Sequence, residues 1–186
     1  MEHRDVEVAG GFGRLVAPET VRIERHLPGP RERIWRYLTE PDLRKRWLAA
    51  GAFDLTPGGT IELVFRNGEL TPGDDPTPER FSANGGEARL RGVITACDPP
   101  GHLAYTWGDG EDASEVRFDL SDEGAKVRLT VTHLRLHSRG MRVMVAAGWH
   151  THLDILRALL EQREPEGFWR KYSALEAVYE ARLPRD

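Results

Sequence analysis

The sequence predicts a single α+β domain in which a curved antiparallel sheet wraps around one long helix and encloses an apolar cavity. Five segments between residues 61 and 133 alternate apolar with polar side chains, and turns rich in Gly, Pro and Asp separate most of them. From about Met141 to Gln162 the apolar residues follow a helical period instead. Because the sheet must bury one face and only this helix is long enough to cover it, we expect a bent sheet that grips the helix.

The elements can be assigned in chain order. The Gly-rich N-terminal extension, residues 1–19, contains apolar residues compatible with a short hairpin: Val6, Val8, Phe12, Leu15 and Val16. A strand over residues 20–27 is followed by two short helices, one over 31–38 and one that begins at Pro41 and carries Trp47. The remaining predicted strands cover residues 61–65, 88–97, 103–107, 116–120 and 127–133.

Two segments extend this simple pattern. Residues 67–86 contain two adjacent Asp, three Pro and four Gly, which predicts a long loop. After the long helix, residues 168–183 form a last helix with an aromatic-rich stripe. This stripe must pack against its own domain or against a second copy in a homodimer, and the sequence leaves both open. We therefore assign residues 20–162 to the domain and 163–186 to a C-terminal helical extension.

Composition restricts the function. A formal net charge of -4 argues against a general nucleic-acid binder, which needs a basic face. The single cysteine, Cys97, excludes an internal disulfide and a multi-cysteine zinc site. The loop acids Asp74 and Asp75 lack the spacing of a calcium loop, so solvation is the favoured interpretation. No cofactor is predicted, and we expect a cytoplasmic protein without signal peptide or membrane span.

Several stretches, taken in order, resemble the activator of heat-shock protein 90 ATPase homologue family. The resemblance covers about residues 20–162 and is carried by these stretches: 30–41, 46–48, 92–100, 103–107, 129–133 and 148–154. That family belongs to the START-like (SRPBCC) superfamily, which includes polyketide cyclases and the birch pollen allergen. The resemblance implies the helix-grip fold and a hydrophobic cavity, but it does not imply one chemistry. The long 67–86 loop and the last helix depart from the simplest members, and both could cover or shape the cavity mouth.

The candidate ligand-binding residues lie on the inward phase of the predicted strands and of the long helix. They are Phe65, Tyr105, Trp107, Phe118, Val131, His133, Trp149, His152 and Leu156. Plain core packing is the alternative interpretation for the aromatic residues among them. For Gly148, in the middle of the helix, close approach to a strand is favoured over room for a ligand.

His133 and His152 are the candidate catalytic residues. If they approach each other, they could anchor a ligand carboxylate or act as acid and base. A pair of satisfied, buried histidines is the alternative. His150 diverges from His152 by about 200° on the helix, so the two cannot easily share a metal ion.

Our leading hypothesis is a binding protein for a small apolar or lipid-like ligand, without catalysis. No Ser-His-Asp order, Gly-rich phosphate loop or pair of catalytic carboxylates stands out in the sequence. One alternative is a cavity enzyme of the cyclase or hydrolase type that uses the two histidines. The other, suggested by the family resemblance, is partner binding of the kind expected for a chaperone ATPase activator.

Overall fold

Seven antiparallel strands form one curved sheet in the structure, a computed structural model that describes residues 11–185. The strands are β1 (Arg14–Ala17), β2 (Thr20–Pro28), β3 (Thr60–Arg66), β4 (Glu87–Asp98), β5 (His102–Trp107), β6 (Ser114–Glu123) and β7 (Lys126–Leu134). Their order across the sheet is β1-β2-β7-β6-β5-β4-β3, so β3 to β7 form a meander and β2 pairs with its last strand. The predicted fold class is confirmed.

The helices are α1 (Arg31–Thr39), α2 (Pro41–Arg44), α3 (Arg139–Leu160) and α4 (Phe168–Arg182). α3 begins two residues before its predicted start because Ser138 caps it, accepting a hydrogen bond of 3.1 Å from the Met141 N–H. α2 is a single turn, shorter than predicted. Of the suggested N-terminal hairpin, Val6 and Val8 lie outside the described residues, whereas Leu15 pairs with β2 as part of β1.

β4 changes its pairing partner between Val93 and Ile94, next to Gly92. Residues up to Val93 pair with β3, and residues from Ile94 onward pair with β5. A Cβ at position 92 would overlap the Thr106 carbonyl oxygen, so only glycine allows β4 to approach β5 this closely. The Thr106 hydroxyl accepts a hydrogen bond of 3.0 Å from the Val93 N–H, which fixes the crossing.

α4 packs back on its own domain, with its aromatic stripe buried against α3 and the loop before β4. Of the two alternatives for this stripe, the structure therefore shows packing within the chain. Five polar residues behind α3 tie α4 to α3 and β2, and we call them the buried polar cluster: Arg25, His150, Asp154, Lys171 and Tyr179.

Asp154 is the centre of the buried polar cluster. Its carboxylate lies 2.9 Å from Arg25 Nε, 2.9 Å from Lys171 Nζ and 3.4 Å from His150 Nε2. The other nitrogen of His150 is 2.9 Å from the Tyr179 hydroxyl, which in turn accepts a hydrogen bond from the Gly13 N–H. Because α4 contributes Lys171 and Tyr179, this cluster fixes the position of α4 on the domain.

Candidate functional site

A pocket of about 200 Å³ lies between the sheet, α3 and α4, and we call it the central pocket. Its lining residues are mostly apolar or aromatic: Leu48, Phe65, Asn67, Phe81, Ala88, Trp107, His133, Met144, Val145, Gly148, Trp149, His152, Phe168, Trp169 and Tyr172. No Lys or Arg is among them. Such a lining, apolar with a few polar groups, is typical of small-molecule sites.

One face of α3 forms one wall. Met144, Gly148 and His152 follow one another at intervals of four residues, with Val145 and Trp149 beside them. A Cβ at Gly148 would meet no atom within 4 Å. The interpretation that Gly148 allows close packing against a strand is therefore wrong. Its missing side chain leaves space in the pocket wall instead.

The sheet contributes a connected group of rings to the opposite wall. The Trp107 ring lies 5.6 Å from Phe65, 5.5 Å from His133 and 5.4 Å from Trp149. Aromatic faces and edges at these separations form a rigid wall, because each ring is held by its neighbours. The structure thus brings five predicted residues to the pocket: Phe65, Trp107, His133, Trp149 and His152.

The other four predicted residues are buried in the core outside the pocket: Tyr105, Phe118, Val131 and Leu156. Phe118 lies outside the pocket partly because of Trp149, whose ring lines the pocket and packs 5.5 Å from the Phe118 ring. A strand pattern tells which side chains point inward. It does not tell how far along the strand the open space extends.

His133 is held by hydrogen bonds at both ring nitrogens. The Trp149 indole N–H donates to Nδ1 at 3.1 Å, and Nε2 is 2.8 Å from the Ser114 hydroxyl. Burial, aided by the charge of Arg135, lowers the pKa of His133 to about 3. This histidine is neutral near pH 7 and has no ring nitrogen free for a ligand.

His152 has a different environment. Its Nδ1 is 2.8 Å from the Trp47 carbonyl oxygen, and no hydrogen bond joins it to His133 among the described residues. Burial lowers the pKa of His152 to about 4, although the bond to Trp47 acts in the opposite direction. General acid–base catalysis near pH 7 works best with a pKa close to that pH, so neither imidazole has the pKa expected for this role.

α4 and the loop before β4 cover the pocket on its outer side. Trp169 stacks on Phe81 of the loop at 5.1 Å, and Phe168 lies 4.8 Å from the His152 ring. The sequence suggested that the last helix and the loop could cover the cavity mouth, but these individual residues were not among the candidates. The aromatic stripe of the last helix was the available signal, but only the three-dimensional path of α4 shows that its first turn reaches the pocket.

The first turn of α4 is capped from the loop. Asp74 accepts hydrogen bonds from the N–H groups of Trp169 at 2.8 Å and Arg170 at 3.2 Å, and the Thr71 hydroxyl accepts one from Phe168 at 2.9 Å. A Cβ at Gly167 would overlap the Asp74 carboxylate, so the glycine is needed for this approach. Asp74 is thus an N-cap supplied from a distant part of the chain.

We expect Asp74→Ala to destabilise the protein by about 1 kcal/mol, because two N–H groups of α4 lose their acceptor. Urea unfolding would measure the loss, and hydrogen exchange at residues 168–170 would locate it. Asp75→Ala is the matched control, since Asp75 only forms an exposed ion pair of 3.0 Å with Arg170. Equal effects of both substitutions would contradict the capping role.

Two buried polar atoms at the outer end of the pocket have no hydrogen-bond partner within residues 11–185. They are the Asn67 Oδ1 and the Trp169 Nε1. Both residues also line a larger, more polar depression beside the pocket, whose arginines Arg80 and Arg89 are paired with glutamates. Buried polar atoms are normally satisfied, and ordered water or a bound molecule would complete the hydrogen bonds of these two.

Metal binding and membrane insertion receive no support from the part of the chain that is described. In residues 11–185, no group of His, Cys, Asp or Glu side chains is arranged to hold a metal ion. None of the helices in that range is long and apolar enough to cross a bilayer. The two acidic residues of the 67–86 loop both contact α4: Asp74 caps its first turn, and Asp75 forms an ion pair with Arg170.

Comparisons with known proteins agree with this fold. The model of the family described as Activator of Hsp90 ATPase homolog 1-like protein matches residues 28–161. The protein encoded by gene BPP1335 from Bordetella parapertussis is 41% identical, with a TM-score of 0.78 over 94% of this chain and 92% of that chain. No curated protein matches the sequence.

Two further solved structures show how the similarity extends along the chain. CalU16 from Micromonospora echinospora is 25% identical, with a TM-score of 0.64 over 91% of this chain and 94% of that chain. MLL2253 from Mesorhizobium loti is 23% identical, with a TM-score of 0.58 over 77% of this chain and 97% of that chain. Some similar structures thus correspond to nearly the whole chain and others to a shorter part of it.

Proposed function

This chain belongs to the Activator of Hsp90 ATPase homolog 1-like protein family, and from that premise we propose that it binds a small apolar ligand in the central pocket without catalysing a reaction. The pocket carries the proposal. It is walled by aromatic rings from β3, β5, α3, α4 and the loop before β4, and Gly148 leaves space in it that an alanine would begin to fill. The unpartnered Asn67 and Trp169 atoms at its outer end also favour an occupant.

The size of the pocket favours a compact ligand. An engineered apolar cavity of about 150 Å³ in another protein binds benzene. The central pocket, at about 200 Å³, therefore suits a molecule of one or two rings better than a long-chain lipid. Aromatic walls favour flat, apolar molecules for the same reason that aromatic side chains pack well against each other.

Acid–base catalysis has less support than binding. The pKa values of His133 and His152, about 3 and about 4, are far below neutral pH. His133 would also have to give up a hydrogen bond before it could transfer a proton. No specific contact in the structure favours a chaperone partner over a small molecule, so binding in the pocket remains the proposal.

Titration with naphthalene tests the proposal. We expect the indole N–H signals of Trp107 and Trp149 to shift in NMR spectra as the pocket fills, because both rings line it. Trp35 provides the internal control, since it lies in α1 and does not line the pocket. If no indole signal moves at saturating naphthalene, or if all move alike, binding in the central pocket is contradicted.

A further inference from the structure

The free ring nitrogen of His152 gives the central pocket a hydrogen-bonding preference. The His152 side chain is only 6% exposed, and its ring lies among pocket rings, 4.8 Å from Phe168 and 6.3 Å from Phe65. Its Nδ1 is directed to the Trp47 carbonyl oxygen at 2.8 Å. A carbonyl oxygen can only accept, so Nδ1 must carry the proton.

The tautomer decides what Nε2 can do. In a neutral imidazole with its proton on Nδ1, Nε2 has a lone pair and acts only as an acceptor. No residue in the described part of the chain forms a hydrogen bond with Nε2. The pKa of about 4 agrees with a neutral ring near pH 7. The pocket wall thus contains a fixed acceptor to which no residue between 11 and 185 donates.

The surroundings of His152 disfavour an anion. None of the residues that line the pocket is Lys or Arg, and the arginines of the neighbouring depression, Arg80 and Arg89, are paired with Glu176 and Glu87. A carboxylate would therefore lose its hydration, face a lone pair and gain no counter-charge. The expectation that the histidines anchor a ligand carboxylate does not suit this arrangement.

We infer that the ligand is a compact aromatic molecule with a hydroxyl or N–H group that donates a hydrogen bond to His152 Nε2. This inference rests on the proposed function and specifies its ligand class. The aromatic walls hold the ring, and the acceptor in the pocket wall selects the donor. A neutral phenol, indole or aromatic amine has both parts. An ether or carboxylate of the same shape has no donor to offer.

Four probes of similar shape test the inference on the native protein: naphthalene, 2-naphthol, 2-methoxynaphthalene and 2-naphthoate. We expect 2-naphthol to bind about tenfold more tightly than 2-methoxynaphthalene, because only the hydroxyl donates to Nε2. We expect 2-naphthoate to bind most weakly. Calorimetry or NMR titration near pH 7 measures all four affinities under the same conditions.

The variant His152→Asn tests whether His152 is the source of the preference. The shorter amide can still donate to the Trp47 carbonyl, but it places no lone pair at the position of Nε2. We expect the ratio of the 2-naphthol and 2-methoxynaphthalene affinities to fall to about one, while naphthalene still binds. His102→Asn makes the same change at a histidine that pairs with Asp119 at 2.6 Å and does not line the pocket, so this comparison variant should retain the preference.

The possible results separate this inference from the proposed function. If naphthalene binds but 2-naphthol has no advantage in the native protein, the inference fails and the proposed function stands. An advantage that persists unchanged in His152→Asn also overturns it. If none of the four probes binds, the proposed function and the inference fail together. The native series decides the question even if the variants do not fold.

Discussion

Asp154→Ala is expected to lower the free energy of unfolding by about 3 kcal/mol, because it leaves a buried charge without its partner. Arg25 is only 3% exposed, and Asp154 is its carboxylate partner at 2.9 Å. The substitution costs Lys171 less, because its ammonium group keeps a second carboxylate partner, Glu166, at 3.4 Å at the surface. At roughly 2–4 °C per kcal/mol for a protein of this size, thermal unfolding would detect the change easily.

The destabilisation caused by Asp154→Ala should depend on pH. Burial alone would raise the pKa of Asp154, but the hydrogen bond from His150 and the charges of Arg25 and Lys171 outweigh it and hold the pKa below its ordinary value. A carboxyl with a lowered pKa stabilises the folded state above its unfolded pKa of about 4, and this contribution is lost as the pH falls further. The difference between native protein and variant should therefore be largest above about pH 4 and shrink below it.

Asp42→Ala is the control for this experiment. Asp42 forms an ion pair of 2.6 Å with Lys45, but its side chain is fully open to water. We expect no measurable change in unfolding, because exposed ion pairs contribute little. If Asp154→Ala were as mild as Asp42→Ala, the buried polar cluster would not be what holds α4 in place.

Gly148→Leu should weaken the binding of naphthalene by about 100-fold or more. A leucine at this position projects into the central pocket, where a Cβ meets no atom within 4 Å. Removing on the order of 110 Å² of apolar ligand contact costs about 2.8 kcal/mol, which corresponds to that factor. The same NMR titration measures the loss.

The stability of Gly148→Leu should rise, which distinguishes a blocked pocket from a damaged fold. Glycine inside a helix is less favourable than alanine or leucine by up to about 1 kcal/mol, and here the new side chain has space. Gly140→Leu is the matched control, because it makes the same change in the exposed first turn of α3, away from the pocket. Loss of binding in both variants, or unfolding of Gly148→Leu, would contradict the role of Gly148.

The elements of the fold could be predicted because each follows a strong local rule. In β7 the apolar residues recur every two positions, and in α3 they recur every 3.6 positions, because only one face of each element is buried. The Gly92 crossing was not predictable in this way, since it depends on how closely two strands approach. Arg25 was also missed, because an arginine in a strand pattern resembles any surface residue until its buried partner is known.

The candidate site could be predicted only in part, for a related reason. Trp107, Trp149 and His152 were found because inward phase is a property of one element at a time. The last helix was expected as a possible cover of the cavity, but Phe168 and Trp169 were not named, because their role depends on where α4 lies, which a cap at Asp74 and the cluster around Asp154 decide. Contacts between distant segments leave no periodic signal in the sequence.

The position of α4 has a consequence for how such proteins diversify. The family model matches residues up to 161, whereas the α4 rings that help to cover the pocket on its outer side begin at Phe168. Strands β3 to β7 and α3 lie within the matched range, whereas α4 follows it. On the proposed function, we expect exchange of α4 alone to change which ligands fit the pocket, because the sheet and α3 supply most of its remaining walls.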